Sequence, residues 1–188
     1  MSERMIPGTV ISYSGDGIGF AYFRPLMQVT DGLTLSQVRA LTGLETSTIQ
    51  NWVKRGYVPR PVNKMYKERH LARILLISSL RDSMQIDRVG ELMTFINGDA
   101  DDESDDIISE EKLYDVFCCV ISEISAACPG DDDIRRIVIQ ECKTVEMIDR
   151  SARERLTEAL CVMVYAYTSG VLKKKCEESF QKLSKCMM

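Results

Sequence analysis

The sequence predicts an all-α protein: a small helix-turn-helix unit followed by a helical bundle. Three observations predict it. Apolar residues recur at three- and four-residue spacing through most of the chain after Leu33. Glycine and proline interrupt those stretches at Gly43, Gly56, Pro59 and Pro129-Gly130, where helices must stop. Charge is divided: residues 31–98 hold ten Lys and Arg against six Asp and Glu, and residues 99–188 hold 12 against 20. The net charge of −4 does not itself suggest nucleic acid. A basic module joined to an acidic one does suit a DNA reader with a separate assembly or sensing part. The expected divisions are an N-terminal arm over 1–32, a helix-turn-helix domain over 33–98 and a C-terminal helical domain over 107–188.

In the arm, Thr9 to Tyr13 and Ile18 to Phe23 flank Ser14-Gly15-Asp16-Gly17, which resembles a hairpin turn. The spacing of Gly15, Gly17 and Gly19 is not a dinucleotide fingerprint. A docking arm or a ragged tail fits better than a phosphate loop.

From Leu33 the signals sharpen. Ser36 is expected to cap a short helix carrying Val38 and Leu41, ended by Gly43. A second helix is expected from Thr46 to Arg55, stopped by Gly56 and Pro59. Pro59 to Tyr66 is basic, stiffened by two prolines, and cannot be helical. Lys67 to Ser83 follows as a third helix, with a broad apolar face of Leu71, Ile74, Leu75, Ile77 and Ser78. Ile86 to Asn97 is a fourth. Asp99 to Asp106 reads as a solvated acidic linker; it lacks the glycine turn and alternating ligands of a calcium loop.

The remainder gives three helices. Leu113, Val116, Phe117, Val120, Ile121 and Ile124 form one stripe. Ile134, Ile137, Val138, Cys142, Val145 and Ile148 form a second. The third helix runs from Ser151 to Ser184 and is apolar nearly all round between Ala159 and Tyr167, so its middle is expected to be buried. Beyond it Val171, Leu172, Phe180 and Leu183 have no obvious intrachain partner, which points to a homodimer.

On the second helix Ser47, Gln50, Asn51 and Lys54 share one face, and Ile49, Trp52 and Val53 the opposite one. Amide side chains pair bidentately with adenine, and Lys reaches guanine or phosphate. Gln50 and Asn51 are therefore the expected base readers. Lys54, Arg55, Arg60, Lys64 and Lys67 are the expected phosphate contacts.

The order of parts adds a resemblance. Thr34 to Leu44, then Ser47-Thr48-Ile49, Trp52, Gly56, Pro59, Pro61, Tyr66 and Leu71 resemble the opening of MerR-family regulators. Asn51 to Pro59, with Tyr66 to Ile77, looks closer still to a bacterial domain of unknown function with a MerR-like helix-turn-helix. The resemblance implies a winged helix-turn-helix, with Ser47 and Thr48 among the DNA-contacting residues. It also implies a function as a DNA-binding transcriptional regulator of double-stranded DNA. The family's recognition-helix Arg falls at Gln50 and one aromatic at Asn51, and Lys64 stands where the wing Arg usually does. Base preference therefore does not carry over. The alternative is a protein-interaction module whose helix-turn-helix no longer reads DNA, supported by the net acidity.

Enzymatic readings are weak. His70 is the sole histidine and reads as a surface or capping residue. Cys118 and Cys119 cannot face one site on a helix, and zinc spacing is absent. No catalytic group, metal or cofactor is expected. The seven cysteines read as small buried hydrophobes of a reducing compartment. With no secretory start and an apolar run too short to span a bilayer, the expectation is a cytoplasmic protein without membrane contact. A small-molecule effector in the helical domain is a further expectation.

Overall fold

A computed structural model describes residues 4–13, 19–127, 131–146 and 149–186. The described residues are mostly helical, as the periodicity predicts. A two-residue ladder, β1 (Arg4–Met5) against β2 (Ser12–Tyr13), precedes a 3-10 turn at Phe20–Tyr22 and helix α1 (Arg24–Thr30). Then come α2 (Leu35–Thr42), α3 (Thr46–Lys54), α4 (Glu68–Leu80), α5 (Ile86–Asn97), α6 (Glu110–Ala127), α7 (Asp131–Lys143) and α8 (Arg150–Cys186). Among the described residues no helix is long and apolar enough to cross a membrane.

The cap of α2 is Thr34, not Ser36. Its hydroxyl accepts from the Gln37 N–H at 3.3 Å, and the Gln37 amide oxygen accepts from the Thr34 N–H at 2.8 Å. Such a reciprocal box satisfies two of the four donors left open at a helix start. Ser36 is exposed at the second position of the helix.

Helix α4 is the centre of the molecule. Seven consecutive residues, Leu71 to Ile77, are buried all round. The expected single apolar face is therefore too narrow a reading: α2, α5, α6 and α8 all pack on this helix. The core continues across the expected boundary at 99–106 without a gap, since α6 packs on α4 along its apolar stripe of Leu113, Phe117 and Val120.

The N-terminal segment also enters that core. Ile6, Phe20, Phe23 and Met27 are buried. The Tyr114 hydroxyl of α6 donates to the Pro7 carbonyl at 2.8 Å, and Asp115 accepts from the Phe20 N–H at 2.6 Å. The chain at Gly8 runs so close to α4 that a Cβ there would lie 2.2 Å from the Leu75 carbonyl oxygen, at a φ of +77° that already favours glycine. The segment read as an arm is thus packed structure where it is described. Its expected turn at Ser14–Gly17 lies outside the described residues, and Phe20–Tyr22 is a 3-10 turn rather than strand.

The acidic run is the clearest departure. Most of Asp99 to Asp106 is exposed, as a solvated run should be, but the segment is tied to the basic module rather than free. Arg69 pairs with Glu103 at 2.8 Å and with Asp106 at 3.6 Å, and Asp101 accepts from the Arg60 N–H at 3.0 Å. Burial pushes the Asp106 carboxyl up to about 6. Of the cysteines, Cys118, Cys142 and Cys161 are buried as expected, whereas Cys119 and Cys176 are exposed. The middle of α8 is buried on most sides, but Val162 remains 44% exposed.

Candidate nucleic-acid interface

The candidate surface begins at the junction of α2 and α3. Gly43 closes α2 at φ +67°, and a Cβ there would lie 2.5 Å from Val10 Cγ1. Leu44 is buried, and its N–H donates to the Thr42 hydroxyl at 3.3 Å. Val10 also donates its N–H to the Leu41 carbonyl at 3.0 Å, so the N-terminal segment braces the turn.

Helix α3 is oriented by what it buries. Ile49 and Trp52 are in the core and Val53 is half-buried. Ser47, Gln50, Asn51 and Lys54 are exposed together on the opposite face, and Thr48 lies half-buried at its margin. The sequence-based facing of this helix is the observed one.

Beyond α3 the chain turns at Gly56, and the Tyr57 and Val58 N–H groups return to the Trp52 carbonyl. A minimal hairpin follows. Val62 and Met65 exchange backbone hydrogen bonds at 3.1 and 2.9 Å around Asn63 and Lys64, both left-handed at φ +51° and +64°. Two successive positive φ values in a two-residue loop make the turn whose twist suits a hairpin. Tyr66 then pairs with Leu33, tying the base of the hairpin to the start of α2. Lys64 stands exposed at the tip.

His70 anchors this hairpin from α4. Its Nδ1 accepts from the Lys67 N–H at 3.1 Å, which leaves Nε2 to donate to the Arg60 carbonyl at 2.9 Å. The ring is buried, and burial lowers its pKa below 6.5. It is a neutral cap holding the hairpin stem to α4.

The expected phosphate contacts divide into two sets. Among the described residues Lys54 and Lys64 have no ion pair. Arg55 pairs with Asp87, stacks 4.7 Å over the Tyr57 ring, and shares Asp87 with the Tyr57 hydroxyl. The hydrogen bond from Tyr57 holds the Asp87 carboxyl below its usual range, and Asp87 in turn raises Tyr57. Lys67 is held by Asp31 at 2.8 Å. Arg60 is 85% exposed at its side chain, with Asp101 4.0 Å away.

Sequence reasoning missed the joint behind this surface. Arg73 lies fully buried on α4. Its Nε donates to the Tyr57 carbonyl at 2.7 Å and its Nη1 to Glu110 at 2.5 Å. Glu110 also accepts from Asn97 at 3.3 Å. A lone Arg inside the otherwise apolar run Leu71 to Ile77 was the available signal. Among the described residues no group of three or more His, Cys, Asp or Glu is arranged to hold a metal ion.

These features define an all-α protein with a polar helix face and a basic hairpin tip side by side. Residues 26–117 match a family described as Domain of unknown function (DUF1836). The match runs from α1 into α6 and agrees with the expected resemblance to a domain-of-unknown-function family. No curated protein and no solved structure matches the chain.

Proposed function

We propose that α2, α3 and the 62–65 hairpin act as a winged, MerR-like helix-turn-helix, and that the protein is a DNA-binding transcriptional regulator. The observation that carries this reading is α3. Its buried Ile49 and Trp52 fix the helix, and the opposite face offers Ser47, Gln50, Asn51 and Lys54 to a groove. Lys64 at the hairpin tip and Arg60 at its stem, both exposed, would supply phosphate contacts. The function is binding rather than catalysis, in the cytoplasm, by a homodimer reading two half-sites. An effector would sit in the open hollow of about 430 Å³ lined by Ile108, Lys112, Thr144 and Val145.

The second reading is a protein-interaction module. It is favoured by the acidic partners already seated on Arg55, Arg60 and Lys67. Binding to fragmented genomic DNA across a salt series separates the two. A regulator loses affinity linearly on a log–log plot, by about 0.9 per neutralised phosphate. The absence of salt-dependent binding would leave the interaction module.

A further inference from the structure

Helix α8 leaves the body of the protein before it ends. From Leu172 to Lys185 every side chain except the half-buried Ser184 is exposed. That stretch is not uniformly polar. At 100° per residue Leu172, Cys176, Phe180 and Leu183 fall within roughly 80° of arc. Leu172, Phe180 and Leu183 are 60%, 67% and 57% exposed. Val162 lies on the same arc lower down and is 44% exposed, so the stripe continues onto the docked half of the helix. From Val162 to Leu183 it runs about 32 Å.

The charges along this stretch are blocked. Lys173-Lys174-Lys175 comes first and Glu177-Glu178 follows, with Cys176 between them. We propose that a second copy of this chain covers the stripe, the two α8 helices lying antiparallel with their twofold axis beside Cys176. The proposal rests on the homodimer put forward above and gives it a geometry. Antiparallel pairing about that point sets Leu172 against Phe180 of the partner subunit, and Ser169 against Leu183 of the partner subunit. It also brings the lysine block level with the glutamates, Lys175 with Glu177 of the partner subunit and Lys174 with Glu178 of the partner subunit. Parallel pairing would stack lysine on lysine and glutamate on glutamate, which repel at that spacing. A twofold axis makes the patch its own complement, as a closed dimer requires.

The test uses the full chain. Light scattering at micromolar concentration should return twice 21.3 kDa. The Leu172→Asp/Phe180→Asp variant should return one chain mass with unchanged helical circular dichroism, because neither side chain is in the core. Orientation is read by cross-linking in a Cys119→Ser/Cys128→Ser/Cys176→Ser/Cys186→Ser background, which keeps only the buried cysteines. A Leu172→Cys chain mixed with a Phe180→Cys chain should form the mixed disulfide under mild oxidation, and Leu172→Cys alone should not cross-link. A monomeric wild type overturns the dimer and this geometry together. A dimer that survives both aspartates overturns the stripe and leaves the dimer standing. Self-cross-linking of Leu172→Cys overturns the antiparallel arrangement.

Discussion

Replacing Glu110 by Ala tests whether the basic module and the later helices are one structural unit. The Arg73 side chain is 1% exposed and that of Glu110 is 0%. A guanidinium does not lose its proton, so removing Glu110 leaves a buried cation whose remaining partner is the Tyr57 carbonyl. Breaking such a pair typically costs about 3–5 kcal/mol. That is a large share of the roughly 5–15 kcal/mol that stabilises an ordinary domain. For a chain of this size it lowers Tm by roughly 10 °C. The assay is urea unfolding followed by fluorescence and by far-UV circular dichroism. Trp52, the one tryptophan, reports from α3, and the dichroism reports from all helices. Both midpoints should fall together. The double replacement Arg73→Met/Glu110→Leu should recover most of the loss, because a well-packed apolar pair carries no desolvation cost. A loss under about 1 kcal/mol, or two separated transitions, would refute the reasoning.

Trp52→Ala should cost about 3–5 kcal/mol, whereas Gln50→Ala and Asn51→Ala should stay within roughly half a kcal/mol and each cost about 1–3 kcal/mol in preference for a specific site over random DNA. Thermal melts paired with binding curves decide it, and loss of stability in the amide variants would mean the reading surface lies elsewhere. Lys64→Ala should flatten the log–log salt slope of DNA binding by about one unit, and Lys67→Ala by less, since Asp31 already holds Lys67; equal slopes for wild type and both variants would count against the hairpin as a phosphate contact. His70 is neutral in the fold and its pKa is lowered, so its contribution is complete above the unfolded value of about 6.5 and is lost as pH falls below it. Asp106, pushed up to about 6, acts with the opposite sign over that window but is common to wild type and His70→Gln. Between about pH 8 and pH 5 the wild type should therefore lose more stability than His70→Gln, and matching pH profiles would sink the assignment of a neutral cap.

Short-range physics was legible in the chain. Helix α5 is found at Ile86–Asn97, where its periodicity predicts it, and α3 at Thr46–Lys54 differs from expectation by one residue. The two faces of α3 follow from a 3.6-residue period and nothing else. The left-handed pair Asn63-Lys64 was not read, because Asn tolerates that conformation readily while Lys rarely adopts it.

What the sequence by itself determined is where most of the helices after Leu33 lie, to within a few residues, and which face of α3 is apolar, since these depend on residues within a few positions of one another; α1, the all-round burial of α4 and the end of α7 before Val145 were not determined. What only the tertiary structure decided is where the charges go. The acidic run Asp99 to Asp106 is indistinguishable from a solvated linker until Arg60 and Arg69, some 30 to 40 residues earlier, are seen beside it. Arg73 looks like an interruption of an apolar run until Glu110 meets it across α4 and α6. Attraction between opposite charges has no sequence period. The partners are set by which helices pack together, and that packing is fixed by the whole core at once.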